Sequence, residues 1–241
     1  MNAILFHPLF AAGALQFAFE RATTEGKVTI GALVILSFFS WTVIITKTRQ
    51  LYLASKLTRK FMAAFDAAGS PLELPRLDAR FDGIPAFQVY RRAATEVERL
   101  LKIAPAAHDP GRMSTPAFEA VKAALEESVG AQAIGLERGM IVLSTAVAGG
   151  PFLGLLGTVW GVMETFAGIA HANAATLTAM APGVAGALIA TVVGLLVAIP
   201  AMFAYNFMVT TIRNLTQELD AFATRYAAQV SLMYVERSTA A

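Results

Sequence analysis

A chain of 241 residues that is 56% hydrophobic and 15% charged is too poor in charge for a soluble globule of this size, which points to the bilayer as its solvent. A formal net charge of +2 is too small to suggest a nucleic-acid partner, and the absence of cysteine excludes disulfides and cysteine-based metal or nucleophile chemistry.

Residues 1–27 contain the run AILFHPLFAAGALQFAF, which His7, Pro8, Gly13 and Gln16 weaken as a membrane span and which lacks the basic start of a signal peptide. This segment is expected to be a periplasmic, interfacial helix. Residues 28–46, VTIGALVILSFFSWTVIIT, approach the ~20 residues that cross ~30 Å of hydrocarbon at ~1.5 Å per residue. Lys47, Arg49, Lys56, Arg59 and Lys60 crowd the exit, which places that side in the cytoplasm. Residues 47–139 hold most of the charges and read as a cytoplasmic helical domain, with turns or loops around Pro71, Pro75 and 104–115. Thr115 and Pro116 read as N-cap and first helical position, followed by Phe118, Val121, Leu125 and Val129 at helical spacing. With only glycines as breakers before Gly150, this helix is expected to run straight into the membrane.

Residues 140–168 and 181–209 form the second and third spans, uncharged except for Glu164, a carboxylate expected at the outer surface. They are joined by a periplasmic loop, 169–180, that has no Lys or Arg, and Arg213 follows the third span. The basic residues therefore agree on an N-terminus outside and a C-terminus inside. Within the last segment, 210–241, Ile212, Leu215, Leu219, Phe222, Tyr226, Val230 and Met233 make one apolar helical stripe. That stripe packs either on the same chain or on a neighbouring subunit. The fold class is all-α, with three transmembrane helices extended by long cytoplasmic helices.

Helices in lipid gain little from burying leucine against leucine, so close contact relies on small residues. Gly150, Gly154, Gly157 and Gly161 in the second span, and Gly183, Gly186, Ala190, Gly194 and Ala198 in the third, are such contact positions. A hairpin within one chain and an interface between chains are equally open on this pattern. Thr158 lies fifteen residues before Asn173 and Thr191 eighteen after it, so a turn centred there brings both hydroxyls to similar depth. A threonine in a span commonly bonds a carbonyl of its own helix, but equal depth on two glycine-rich helices favours a shared, pore-facing role. Pro200 removes a helical hydrogen bond to the carbonyl of Leu196 and is expected to kink the third span. His7, His108 and His171 are scattered, and the sequence has no phosphate-binding glycine loop, metal-ligand cluster or hydrolase constellation.

GPFLGLLGTVWGVMETF (150–166) and APGVAGALIATVVGLLVAIPAMFAYN (181–206) resemble the second and third spans of the ExbB/TolQ family of proton-driven inner-membrane motors, more distantly related to the flagellar stator MotA. SWTVIITK (40–47) is similar to the end of that family's first span. The resemblance implies a non-enzymatic channel or stator subunit of the bacterial inner membrane, a homopentamer around a pore, without cofactor or metal. It further implies an ExbD- or TolR-like partner whose single span carries an aspartate, with a TonB- or TolA-like protein as a further partner. The translocated ion is then the proton, with sodium as the alternative, and family threonines at the positions of Thr158 and Thr191 line the route. A non-conducting membrane scaffold is the rival reading. One departure stands out: where the family has the pattern A-E-A-L, this chain reads Ala185, Gly186, Ala187, Leu188, which leaves no acidic residue of its own deep in the membrane.

Overall fold

A computed structural model describes residues 24–72, 81, 83–106, 109, 111–172 and 177–236. The fold is all-α, with five helices among the described residues: α1 (Thr24–Asp66), α2 (Pro85–Ile103), α3 (Thr115–Glu137), α4 (Met140–Ala172) and α5 (Leu177–Tyr234). Three of them, α1, α4 and α5, contain segments long and apolar enough to cross a membrane. The chain divides into two compact units, one containing residues up to Thr46 and from Gly139 to Asn206, the other containing Lys47–Arg138 and the chain from Phe207 onward.

The first unit inverts the packing of a soluble core. Its buried positions are largely small residues, among them Ala146, Ala187, Ala190, Ala198 and Ala201, while Phe152 is 72% exposed and Phe203 67% exposed. Small residues let backbones approach and large apolar ones face outward, the distribution that suits helices whose surroundings are themselves apolar. Helix α4 continues to Ala172 and α5 begins at Leu177, so each extends into the segment 169–180. The interfacial helix expected at 1–27 falls mostly outside the described residues, and its last four residues belong to α1.

The second unit has an orthodox core. Phe61, Phe65, Tyr90, Phe222 and Tyr226 are buried, with Phe81 and Phe87 beside them. The ring centroids of Phe65 and Phe222 lie 5.0 Å apart and those of Phe61 and Phe222 5.6 Å, both edge-on, the arrangement favoured by the ring quadrupoles. The α5 stripe from Ile212 to Val230 is buried within this unit, so it serves packing in its own chain, whereas Met233, 45% exposed, falls beyond the core. Truncating Phe222 to alanine should therefore cost ~3–5 kcal/mol. Tyr226→Phe should act in the opposite sense: among the described residues the buried Tyr226 hydroxyl has no hydrogen-bond partner, so its removal is expected to stabilise by up to ~1 kcal/mol. Denaturant unfolding in detergent followed by circular dichroism checks both, and a destabilised Tyr226→Phe variant would show that the hydroxyl is bonded.

Two boundaries differ from the sequence reading. Ser114, with φ −70° and ψ 158°, occupies the N-cap of α3, which makes Thr115 the first helical residue; both can take the extended conformation a cap needs, and Ser114 does so. The helix also does not run straight on: Arg138 is extended (φ −53°, ψ 131°) and Gly139 has φ 85°, a left-handed conformation that glycine adopts at little cost, so α3 ends at Glu137. The buried Lys47 donates from Nζ to the carbonyl of Leu136 at 3.0 Å, which satisfies one of the open carbonyls at that helix end and opposes its dipole. At the other end of α3, the N–H of Met113 donates to the Tyr234 carbonyl at 2.7 Å and the N–H of Glu236 to the Met113 carbonyl at 3.1 Å, tying the end of α5 to the preceding loop.

Candidate functional site

Helices α4 and α5 pack antiparallel along the glycines, within a single chain. A Cβ added at Gly150 would lie 2.9 Å from the carbonyl oxygen of Gly194 and 3.1 Å from the Cβ of Ala198. At Gly154 it would lie 2.9 Å from both the Ala190 oxygen and the Thr191 Cα, and at Gly161 2.7 Å from the Cβ of Ala187. At Gly183 it would run into the Thr165 hydroxyl, and at Gly194 into the carbonyl of Gly150. Gly157 faces Ala190 and also the hydroxyl of Thr29 on α1, which a Cβ would approach to 2.8 Å. By contrast Gly149 and Gly168, on the same helix, have nothing within 4 Å of an added Cβ. The seam therefore selects glycine because another backbone occupies the space at Gly150, Gly154 and Gly194, and a small side chain occupies it at Gly157, Gly161 and Gly183. Gly186 is buried as well.

Close approach at Gly154 places Thr158 and Thr191 side by side. The Thr158 Oγ1 lies 3.1 Å from the Gly154 carbonyl oxygen in its own helix and 3.3 Å from the Ala187 carbonyl oxygen in α5, and it is hydrogen-bonded to the Thr191 Oγ1. The Thr191 Oγ1 lies 3.2 Å from the Gly154 carbonyl oxygen. Bonding to the own helix and pairing across the seam thus coexist at Thr158. Thr29, Thr42 and Thr165 each bond a carbonyl of their own helix three or four residues back. Two hydroxyl hydrogens have two carbonyls and each other as acceptors, so more than one donor pattern satisfies the cluster. Both side chains are half-buried, at the edge of the seam. Chemically, the pair can donate to or accept from water or a carboxyl group, but it holds no charge and supplies no group that titrates near neutrality.

Of the remaining sequence candidates, Glu164 is exposed on α4, and α5 is helical through Pro200. His7 and His108 lie outside the described residues, as does the side chain of His171. Among the described residues no cluster of three or more His, Asp or Glu could hold a metal. Sequence reasoning missed two features beside the seam. Thr29 is 7% exposed and brings a third hydroxyl against Gly157, and Pro151 inside α4 frees the Val147 carbonyl from the helical ladder. Because Gly186 is buried, Gly186→Glu is expected to cost several kcal/mol or to hold the new carboxyl protonated, lowering the yield of folded protein on a detergent column. Normal folding of that variant would show that position 186 reaches water in the assembled state.

Residues 84–221 match the MotA/TolQ/ExbB proton channel family. The chain is 33% identical over 206 residues to the Tol-Pal system protein TolQ of Haemophilus influenzae, covering 85% of this chain and 88% of that one. It is 32% identical to the TolQ of Pseudomonas aeruginosa, with 78% and 79% covered. It is also 30% identical over 220 residues to the biopolymer transport protein ExbB of Salmonella typhimurium, with 89% and 84% covered.

Proposed function

As the chain belongs to the MotA/TolQ/ExbB proton channel family, we propose that it is the channel and stator subunit of a complex driven by the proton-motive force in the bacterial inner membrane. In this reading several copies, five by family resemblance, surround the span of an ExbD- or TolR-like partner, with the N-terminus outside and the C-terminus in the cytoplasm. A TonB- or TolA-like protein then receives the work, which energises the outer membrane or envelope.

The observation that carries the reading is the Thr158–Thr191 pair, two hydroxyls from different helices hydrogen-bonded to each other within predominantly apolar segments. With Gly186 in place of an acid, the charge-carrying group has to come from the partner, whose aspartate is costly to ionise in hydrocarbon and so titrates between the two compartments. The hydroxyl pair can accept from the protonated carboxyl and donate to the ionised one, which lowers the barrier for either state to pass. The drive is ~2.3 kcal/mol per charge per 100 mV. The chain has no cysteine, so Thr158→Cys and Thr191→Cys each introduce a single reporter. Both are expected to react with a small polar thiol reagent in the complex lacking its partner and to be shielded when the partner is present. Failure of both to react in either state would support a non-conducting scaffold instead.

A further inference from the structure

We propose that the exposed face of α1 just beyond its apolar segment binds the headgroups of anionic phospholipids. Between Glu25 and Asp66 α1 carries no acidic residue, yet residues 47–60 include Lys47, Arg49, Lys56, Arg59 and Lys60. Two of these are engaged: Lys47 is buried on the Leu136 carbonyl, and Arg59 lies 3.9 Å from Glu218. The other three, Arg49, Lys56 and Lys60, follow at seven- and four-residue steps and so share one side of the helix. Tyr52, 65% exposed, and Leu53, 53% exposed, lie on the same side, and the Lys56 Nζ sits 5.9 Å from the Tyr52 ring centroid. Among the described residues none of these three bases is paired with a carboxylate, although Arg92, Arg99, Arg112, Lys122 and Arg225 all are.

These three bases form one stripe, interleaved with an amphipathic ring and an aliphatic side chain. At ~1.5 Å per residue Arg49 lies ~5 Å and Lys56 ~15 Å past Thr46 along the axis. Helical side chains lean toward the N-terminus, here back toward the apolar segment, and long basic side chains snorkel. Arg49 therefore reaches the headgroup layer, about 5–7 Å thick per leaflet, Lys56 lies within about a Debye length of its charge, and Lys60 follows about one helical turn further out. A guanidinium matches a phosphodiester bidentately, the ammonium groups add point charges, and a tyrosine at this level suits the membrane interface. This inference stands independently of proton conduction.

The test uses the full chain with Trp160→Phe, which leaves Trp41 on α1 as the single tryptophan. It is reconstituted in phosphatidylcholine vesicles containing a small fixed fraction of either brominated phosphatidylglycerol or brominated phosphatidylcholine. Phosphatidylglycerol is expected to quench Trp41 about twofold more strongly than its bulk fraction predicts. That excess should vanish in the Arg49→Gln, Lys56→Gln, Lys60→Gln variant and in high salt, and persist in Lys56→Arg, Lys60→Arg. Inorganic phosphate at matched ionic strength should leave it intact. Equal quenching by both lipids, or an excess that survives the triple variant, would overturn the proposal. So would loss of the excess in inorganic phosphate, which would mean a soluble anion site, or a triple variant that alters oligomer size without altering quenching, which would mean that the face meets another copy of the chain.

Discussion

Gly154→Leu is expected to destroy the α4–α5 hairpin. The first added carbon alone would sit 2.9 Å from the Ala190 oxygen and from the Thr191 Cα, and both are backbone atoms that no rotamer change can move aside. Relief requires α5 to separate from α4, which also breaks the Thr158–Thr191 pair. Overpacking of an ordinary core costs ~1–3 kcal/mol, and a wall made of backbone puts this site at or above the upper end. Gly149→Leu adds the same bulk to the same helix where nothing lies within 4 Å, so it should leave stability unchanged. Thermal unfolding of both variants in detergent, read as the fraction surviving on a sizing column, checks the contrast. Equal survival would mean that the glycine seam does not hold the chain together.

The second large effect is on function. In the Thr158→Val, Thr191→Val double variant both hydroxyls are lost while shape is kept. The carbonyls of Gly154 and Ala187 remain positioned for the helical bonds from residues 158 and 191, so no buried acceptor is orphaned and the fold should lose at most ~1–2 kcal/mol. Proton-driven activity of the complex should fall at least tenfold, about 1.4 kcal/mol on the barrier. Complementation of a strain lacking the chain, with membrane levels of the variant matched to the unaltered protein, measures this. Full activity in the double variant would remove the hydroxyl pair from the route.

The positions of close helix contact were legible because their chemistry is local, although whether they join one chain or two was not. Glycines at three- and four-residue steps can be read directly, and two threonines fifteen and eighteen residues from the centre of a charge-free turn come to similar depth by the constant rise of a helix. The α5 stripe was equally legible, since one buried face imposes its own period. What escaped the sequence depends on atoms far away along the chain. Small-residue seams look alike whether they meet their own chain or another, and the close approach of Gly194 to Gly150 assigns these to one chain. The break at Gly139 was hidden among similar glycines at 130 and 135, which stay helical while only Gly139 takes φ 85°. Lys47 looked like one more juxtamembrane charge until the end of α3 came within 3.0 Å of its ammonium group. The aromatic core unites rings as distant in sequence as Phe61 and Phe222, a pairing that no local period encodes.

The central claim is that this chain conducts protons only together with a partner that supplies the titratable group. It is tested most directly by proton flux into vesicles containing the chain alone, the chain with an ExbD- or TolR-like partner, and the chain with a partner whose transmembrane aspartate is replaced by asparagine, each under an imposed membrane potential. The expected result is flux in the second preparation only, unchanged when sodium is replaced by potassium. Strong proton flux through the chain alone, or flux with the intact partner that requires sodium, would contradict it.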